Sequence, residues 1–290
     1  MQRVLDPAQI EAFAQRAVAR IRLPDAARIF AKRAARLREL SQGHAVGDYL
    51  RLMAALADAQ QSVVNLPAGP DEWHPVLHEL CNAIAGVPGF PAAVTQVCRN
   101  LQALPLEKLQ AQADLLLREA AAPADSVDAA FAIDAASAPF IMAALQVHWV
   151  RKVGSWSPDQ VNEHIGHAEA SRACPVCGTL PVASIVSAEK AHQGYRYLHC
   201  ALCATEWHMV RVKCSHCEST AGIHYHSIEG GSTAIRAEAC DHCKTYRKIC
   251  YQEQDLSVEP LADDLASLAI DLLMSEEGFQ RASGNPLLWQ

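Results

Sequence analysis

Apolar residues recur at helical spacing through the first 165 residues, and then the period changes. Leu50, Met53, Ala54, Leu56 and Ala57 fall at intervals of three and four, as do Leu109, Ala113, Leu116 and Leu117. Each set therefore lines one face of a helix turned towards a core. The pattern predicts helices over 7–21, 25–40, 47–64, 71–84, 91–103, 106–121, 127–151 and 158–168, punctuated by Pro and Gly at 67–70 and 86–89. Two start on Leu23-Pro24-Asp25 and Ser157-Pro158-Asp159, with proline in the first turn and an acidic residue after it. Beyond residue 170 the apolar runs are short and rich in β-branched and aromatic residues. Segments 182–188, 195–200, 222–228 and 232–240, broken by Gly194 and by Gly230-Gly231, predict hairpins. A last helical pattern over 260–279 carries Leu261, Leu265, Leu268, Leu272 and Leu273, with Asp263, Asp264 and Asp271 between them. It predicts an amphipathic helix that packs back onto the hairpins or the helical domain.

Composition narrows the class. Of the 290 residues, 50% are apolar and 20% charged, the balance of a soluble globular protein rather than a disordered or fibrous one. The longest uncharged stretches, within 127–150 and 83–98, are too interrupted to cross a bilayer, so no membrane insertion is expected. The first 22 residues include Asp6 and Glu11 and no apolar block ending in a cleavage site, so a reducing cytoplasm is the expected compartment. The formal charge is −7, and segment 171–253 has nine Lys and Arg against seven Asp and Glu. That near balance lacks the basic footprint of a DNA- or RNA-binding protein, so no nucleic acid is expected as a partner. The basic run Arg28, Lys32, Arg33, Arg36 and Arg38 is expected to be a solvated helix face, with an acidic partner as the alternative.

The cysteines carry the chemistry. There are eleven, and eight form four CxxC pairs: Cys174/Cys177, Cys200/Cys203, Cys214/Cys217 and Cys240/Cys243. In a reducing compartment such pairs bind metal or do redox work more often than they form disulfides. Adding 40 to the number of each of the first four cysteines gives the second four, which is an internal duplication. Arg196 then matches Arg236, and Thr205 matches Thr245. Fixed ligand spacing with divergent filling predicts that each unit is one ribbon closed around one ion by four thiolates. Pairing within each repeat is preferred, because each unit once folded alone; Cys200/Cys203 with Cys214/Cys217 is the alternative. Thiolate tetrahedra suit both zinc and iron, so the residues leave the metal open. Gly178 follows the first pair where a knuckle favours positive φ, whereas Ala204, Glu218 and Lys244 stand there after the others, so those knuckles are expected to be looser or differently turned.

Other candidates are weaker. His164 and His167 on a predicted helix, and His224 and His226 on a predicted strand, are minor alternatives as ligands, since eight cysteines already complete two tetrahedra. His199, His208, His216 and His242 flank the thiolates, either hydrogen-bonding to tune the ion or simply exposed. Cys81 and Cys98 read as core thiols, and Cys250 lies outside the pairs. Neither GxGxxG, GxxxxGK[ST] nor GxSxG occurs, and a closed tetrahedron offers no open position, so no catalytic residue is assigned and no enzyme is expected.

The stretches RACPVCGTLPVAS, GYRYLHCALCATEWHMVRVKCSHCE and ADDLASLAIDLLMSEEGFQRASGNP, spanning about 172–286, resemble the FdhE family of formate dehydrogenase accessory proteins. The resemblance implies a bacterial cytoplasmic protein that binds the catalytic subunit of respiratory formate dehydrogenase before export and supports its maturation. It also implies rubredoxin-like iron binding through the eight paired cysteines, which shifts the expectation from zinc towards iron. Missing glycines after three pairs depart from rubredoxin itself. The expected architecture is multidomain α and β: an all-helical domain (1–168), two tandem rubredoxin-like or zinc-ribbon modules (169–212 and 213–256), and a C-terminal amphipathic helix and tail (257–290). Two other functions remain open, an iron-thiolate redox protein acting on that client and a nucleic-acid-binding zinc ribbon, the latter disfavoured by the charge count.

Overall fold

The computed structural model describes residues 20–65, 72–87, 91–122, 134–157, 159–161 and 172–288. Among the described residues the helices that come first are α1 (Ile29–Leu40), α2 (Gly47–Val63), α3 (His74–Ala85), α4 (Ala92–Ala103), α5 (Leu106–Ala121) and α6 (Ala138–Gly154). Their starts follow local chemistry. Asp25 accepts the Ala27 N–H through its side chain and the Ile29 N–H through its carbonyl, so the predicted start at 25 is a capping turn that leads into α1. Pro91 and Pro105 hold extended ψ angles of 137° and 143° and set the first turns of α4 and α5. At Gly47 a Cβ would stand 2.6 Å from the Ser41 carbonyl oxygen, so α1 and α2 pack end to start only with glycine there.

The helical core centres on α6, where buried side chains lie all round the helix from Ala138 to Val147. A helix apolar on every side belongs in the middle. The predicted stripes Leu50, Met53, Ala54, Leu56 and Ala57, and Leu109, Ala113 and Leu116, are buried in the same core, while Leu117 is partly buried. Residues 1–19, 127–133 and 162–168, parts of three predicted helices, lie outside the described residues. Ile21, expected to end the first helix, instead lies in strand β1 (Ile21–Arg22).

The second half is a single sheet. Its strands are β2 (Pro181–Val186), β3 (Arg196–Cys200), β4 (Glu206–Met209), β5 (Ile223–His226), β6 (Ile235–Cys240), β7 (Thr245–Tyr251) and β8 (Gln280–Arg281), in the order β1-β4-β3-β2-β7-β6-β5 with β8 beside β7. Each 40-residue unit supplies three antiparallel strands, β2-β3-β4 and β5-β6-β7. The units join where β2 runs parallel to β7, in the register Ser184 to Ile249 and Val186 to Tyr251. Cys250 sits buried in this joint, where desolvation pushes its thiol up.

The chain closes with α7 (Pro260–Leu265) and α8 (Leu268–Glu276), not the one predicted helix over 260–279. Glu259 caps α7 by accepting the Ala262 N–H at 2.8 Å. Leu261 and Leu265 are buried, whereas Leu272 and Leu273 are 68% and 47% exposed, so the predicted apolar stripe is buried only in its first half. The buried half packs against α1. There Arg33 pairs with Glu259 at 3.0 Å and Arg36 with Asp263 at 2.7 Å. The expected solvated basic face is thus corrected. Two of its five cations point inward, because the acidic residues of the C-terminal segment meet them in the core.

Candidate metal centres

Each cage is assembled from two turns. Cys174 and Cys177 lie on the turn before β2, and Cys200 and Cys203 on the turn between β3 and β4; their sulfurs are brought within 4.8 Å of one another. Cys214, Cys217, Cys240 and Cys243 repeat this before β5 and between β6 and β7. The sulfurs meet within each repeat and not across repeats. All eight cysteines are unlinked by disulfides. Cross-turn separations are 3.5 Å for Cys174–Cys203, 3.3 Å for Cys177–Cys200, and 3.7 Å for both Cys214–Cys243 and Cys217–Cys240. A tetrahedron of sulfurs at metal–sulfur distances of roughly 2.3 Å has edges of about 3.8 Å, so both cages have the size and donor set of a single-ion thiolate site.

The four knuckles are built alike. In the first, Cys174 N–H donates to the Thr179 carbonyl at 2.8 Å and Gly178 N–H to the Cys174 carbonyl at 2.9 Å. Cys200 with Thr205, Cys214 with Ser219 and Glu218, and Cys240 with Lys244 repeat parts of this pattern. The residue after each second cysteine is left-handed: φ is +78° at Gly178, +56° at Ala204, +65° at Glu218 and +54° at Lys244. The expectation of looser or differently turned knuckles is therefore corrected. Three non-glycine residues accept a conformation that costs roughly 1–2 kcal/mol each, because the hydrogen bonds and the converging sulfurs fix the turn.

Hydroxyl residues complete the cages, and the spacing argument missed them. Thr179 Oγ1 lies 3.2 Å from Cys177 Sγ and 3.1 Å from Cys200 Sγ; Thr205 Oγ1 is 3.1 Å from Cys203 Sγ, and Thr245 Oγ1 is 3.1 Å from Cys243 Sγ. The signal was present, since all four pairs read CxxCx[ST], with Ser219 in the remaining place. Backbone N–H groups of Leu202 and Cys203 point at Cys200 Sγ at 3.4 Å, and those of His216 and Cys217 at Cys214 Sγ at 3.4 and 3.5 Å. Such donors favour ionised sulfur.

The sulfurs cannot all ionise without a cation among them. Burial, with neighbouring sulfurs, pushes the Cys174 and Cys203 thiols far up, while hydrogen bonds from Cys174, Cys200 and Cys203 pull Cys177 down. In the second cage burial raises Cys217 to about 12. One proton set distributed so unevenly over four touching sulfurs is what a divalent or trivalent ion would replace.

The histidines stand apart from the cages. His199 Nδ1 lies 3.0 Å from Glu206 Oε1, His224 Nε2 is 2.6 Å from Asp241 Oδ2, and the His226 ring packs near Phe279. His208 stacks edge-on against Tyr195 and Tyr197, His242 is exposed, and His216 lies within a knuckle. Among the described residues, none joins a metal-sized cluster. His164 and His167 lie outside the described residues. Cys81 and Cys98 are both 1% exposed and hydrogen-bond to each other across α3 and α4, as core thiols.

The helical domain grips the first cage through Gln146 of α6. Its Nε2 donates to the Ala201 carbonyl inside the knuckle at 2.8 Å, while its Oε1 accepts from Gln60 Nε2 at 3.0 Å and Arg33 Nη1 at 3.3 Å. A helical region, a duplicated four-cysteine ribbon in one sheet and a C-terminal segment tied back into both halves define a ribbon protein with two four-cysteine clusters, each of which could hold one ion. Family models agree along almost its whole length: "FdhE, N-terminal" matches residues 18–72 and 67–165, "FdhE, central domain" 173–211, and "FdhE, C-terminal domain" 212–288. The chain belongs to the FdhE family of formate dehydrogenase accessory proteins.

Individual relatives bear this out. The FdhE homolog of Cronobacter sakazakii is 40% identical over 287 residues, covering 90% of this chain and 88% of the relative. Protein FdhE of Salmonella enteritidis is 39% identical over 292 residues with the same coverage. The crystal structure of the FdhE protein from Pseudomonas aeruginosa aligns with a TM-score of 0.80 at 35% identity, covering 93% of this chain and 98% of that one. No helix among the described residues is long and apolar enough to cross a membrane.

Proposed function

We propose that this protein is a non-catalytic assembly factor that binds the catalytic subunit of respiratory formate dehydrogenase in the cytoplasm and supports its maturation. Cys174, Cys177, Cys200 and Cys203 hold one metal ion, and Cys214, Cys217, Cys240 and Cys243 a second, with iron favoured and zinc the alternative. The observation that carries the reading is family membership along nearly the whole chain together with two closed thiolate cages. Four protein ligands leave no position for substrate or activated water. When bound, the ions supply charge that lets four thiolates share one site, and the chain's own residues do the rest. The hydroxyls of Thr179, Thr205 and Thr245 contact sulfur, the left-handed knuckles aim it, and Gln146 couples the first knuckle to the helical core. The domain bounds proposed are a helical domain to 168, ribbon units at 169–212 and 213–256, and a C-terminal segment from 257.

A 40-residue ribbon has too small a core to fold without its ion, so the metals hold the shape of the surface that meets the client. The test is a pull-down from formate-grown cells with metal analysis of the untagged protein. The catalytic subunit should co-purify with protein carrying two ions per chain, and Cys174→Ser or Cys214→Ser should lose both the client and local structure. Client binding that survives complete metal removal overturns the structural role. One observation favours a second reading, electron or thiol transfer to the client: Cys217 and Cys243 of the second cage are only half-buried. A reversible iron potential in the cytosolic range would support it.

A further inference from the structure

The forty-residue repeat copies the ligands but not their surroundings. Cys174, Cys200 and Cys203, with knuckle residues Ala201, Leu202 and Ala204, belong to the same apolar cluster as the helical core. Cys214 and Cys240 stand outside that cluster, and Asp241 and Lys244 beside them are 47% and 62% exposed. The inner wall of the second cage is polar instead. Arg247 of β7, 3% exposed, lines one small cavity together with Cys214, Ser215, Cys240 and Thr245. Its Nε donates to Ser215 Oγ at 2.9 Å, and its Nη1 donates to the Pro181 carbonyl and to Ser283 Oγ. Its Nη2 is buried without a hydrogen-bond partner. Forty residues earlier, the first unit has Trp207 in this place.

We propose that the two cages have diverged in role. The first is a permanent staple of the core, and the second is the exchangeable metal site, whose thiolate charge Arg247 offsets. Four thiolates around a divalent ion carry a net charge of about −2, and a buried guanidinium beside them lowers the cost of holding it. An orphaned buried N–H is costly unless an anionic group faces it; the sulfurs of Cys214 and Cys240 line the same cavity, as does Glu238, which is already paired with Arg196 at 2.6 Å. The first cage does without a cation at the matching position because its apolar wall and the Gln146 tether keep water and competing ligands out. Solvent reaches two ligands of the second cage, Cys217 and Cys243, against Cys177 alone in the first.

This inference rests on both cages binding metal, and its test separates the two claims. The full chain is loaded with Co²⁺ and then mixed with excess chelator, following the thiolate-to-cobalt absorption. Two equivalents should leave in two phases, and Cys243→Ser should abolish the fast phase alone. Arg247→Gln should speed that phase by about tenfold and shift its absorption, while Arg247→Lys keeps wild-type behaviour. Should Arg247→Gln fail to fold, alkylation of the wild-type loaded chain mapped by peptide mass gives the same answer, with Cys217 and Cys243 modified well before Cys200 and Cys203. Two bound equivalents leaving in one phase, a fast phase lost with Cys177→Ser, a folded Arg247→Gln identical to wild type, or equal alkylation of both cages would each overturn the division between them. Fewer than two equivalents bound would instead defeat the metal reading.

Discussion

Arg33 donates through Nε to Glu259 at 3.0 Å across 226 residues of chain, and both side chains are 1% exposed. The pair ties α1 to the cap of α7, and Arg33 Nη1 continues to Gln146 and hence to the first knuckle. A charge buried this deeply depends on its partner. Glu259→Gln should therefore cost about 3–5 kcal/mol in urea unfolding by leaving the guanidinium unpaired, whereas Arg33→Met with Glu259→Met should cost much less, since an apolar replacement leaves no orphan charge. Equal losses in the single and double variants would contradict this.

The hydroxyl beside each sulfur pair has its own signature. Thr179 lies between Cys177 and Cys200. Thr179→Val keeps the shape and removes the donor, so the affinity of the first cage for Zn²⁺ should fall by about tenfold in chelator competition, with the second cage unchanged. Thr245→Val should show the converse, weakening only the second.

Knuckle conformation can be weighed by exchanging glycine. At Gly178 an added methyl meets nothing within 4 Å, so the loss in Gly178→Ala, about 1 kcal/mol, is purely conformational. Glu218→Gly should move the other way and gain about 0.5–1 kcal/mol, because it relieves a left-handed residue at the expense of an exposed ion pair with Lys213 that is worth little. Thermal melts of the metal-loaded protein give both signs.

Acid should weaken the joint between sheet and C-terminal segment. Burial acts to raise the Asp264 carboxyl, but Arg281, Lys248 and a hydrogen bond from Asn285 more than offset it and hold the group below the usual carboxylate range. Its folded pKa is the lower one, so the unfolded chain takes up the proton first. The stability contributed by Asp264 is fully present above the unfolded value and disappears as pH falls through the folded one. Asp264→Asn should be less stable at pH 7 by about 3–5 kcal/mol, and its stability should fall less steeply than wild type as pH drops below the ordinary carboxylate range. A parallel acid limb in both proteins would assign the pH dependence elsewhere.

Sequence alone determined what is local or periodic. A CxxC pair fits one tight turn, a 40-residue shift repeats it, and apolar residues three and four apart mark a helix face. The eight cysteines and the helices over 25–121 were therefore legible, and the CxxCx[ST] hydroxyls were within reach of the same reading. Only the tertiary structure decided what depends on contacts between distant segments. No periodicity announces that β2 runs beside β7, since Val186 and Tyr251 are paired by global topology. Nor does a charge show in sequence whether it is solvated or paired: Arg33 and Arg38 look alike in the first forty residues, yet one is buried against Glu259 and the other is half-exposed beside Asp58. Duplication copied the ligands because the turns that hold them are self-contained. It could not copy their environment, because one cage packs into the helical core and the other lies nearer the surface, against the buried Arg247.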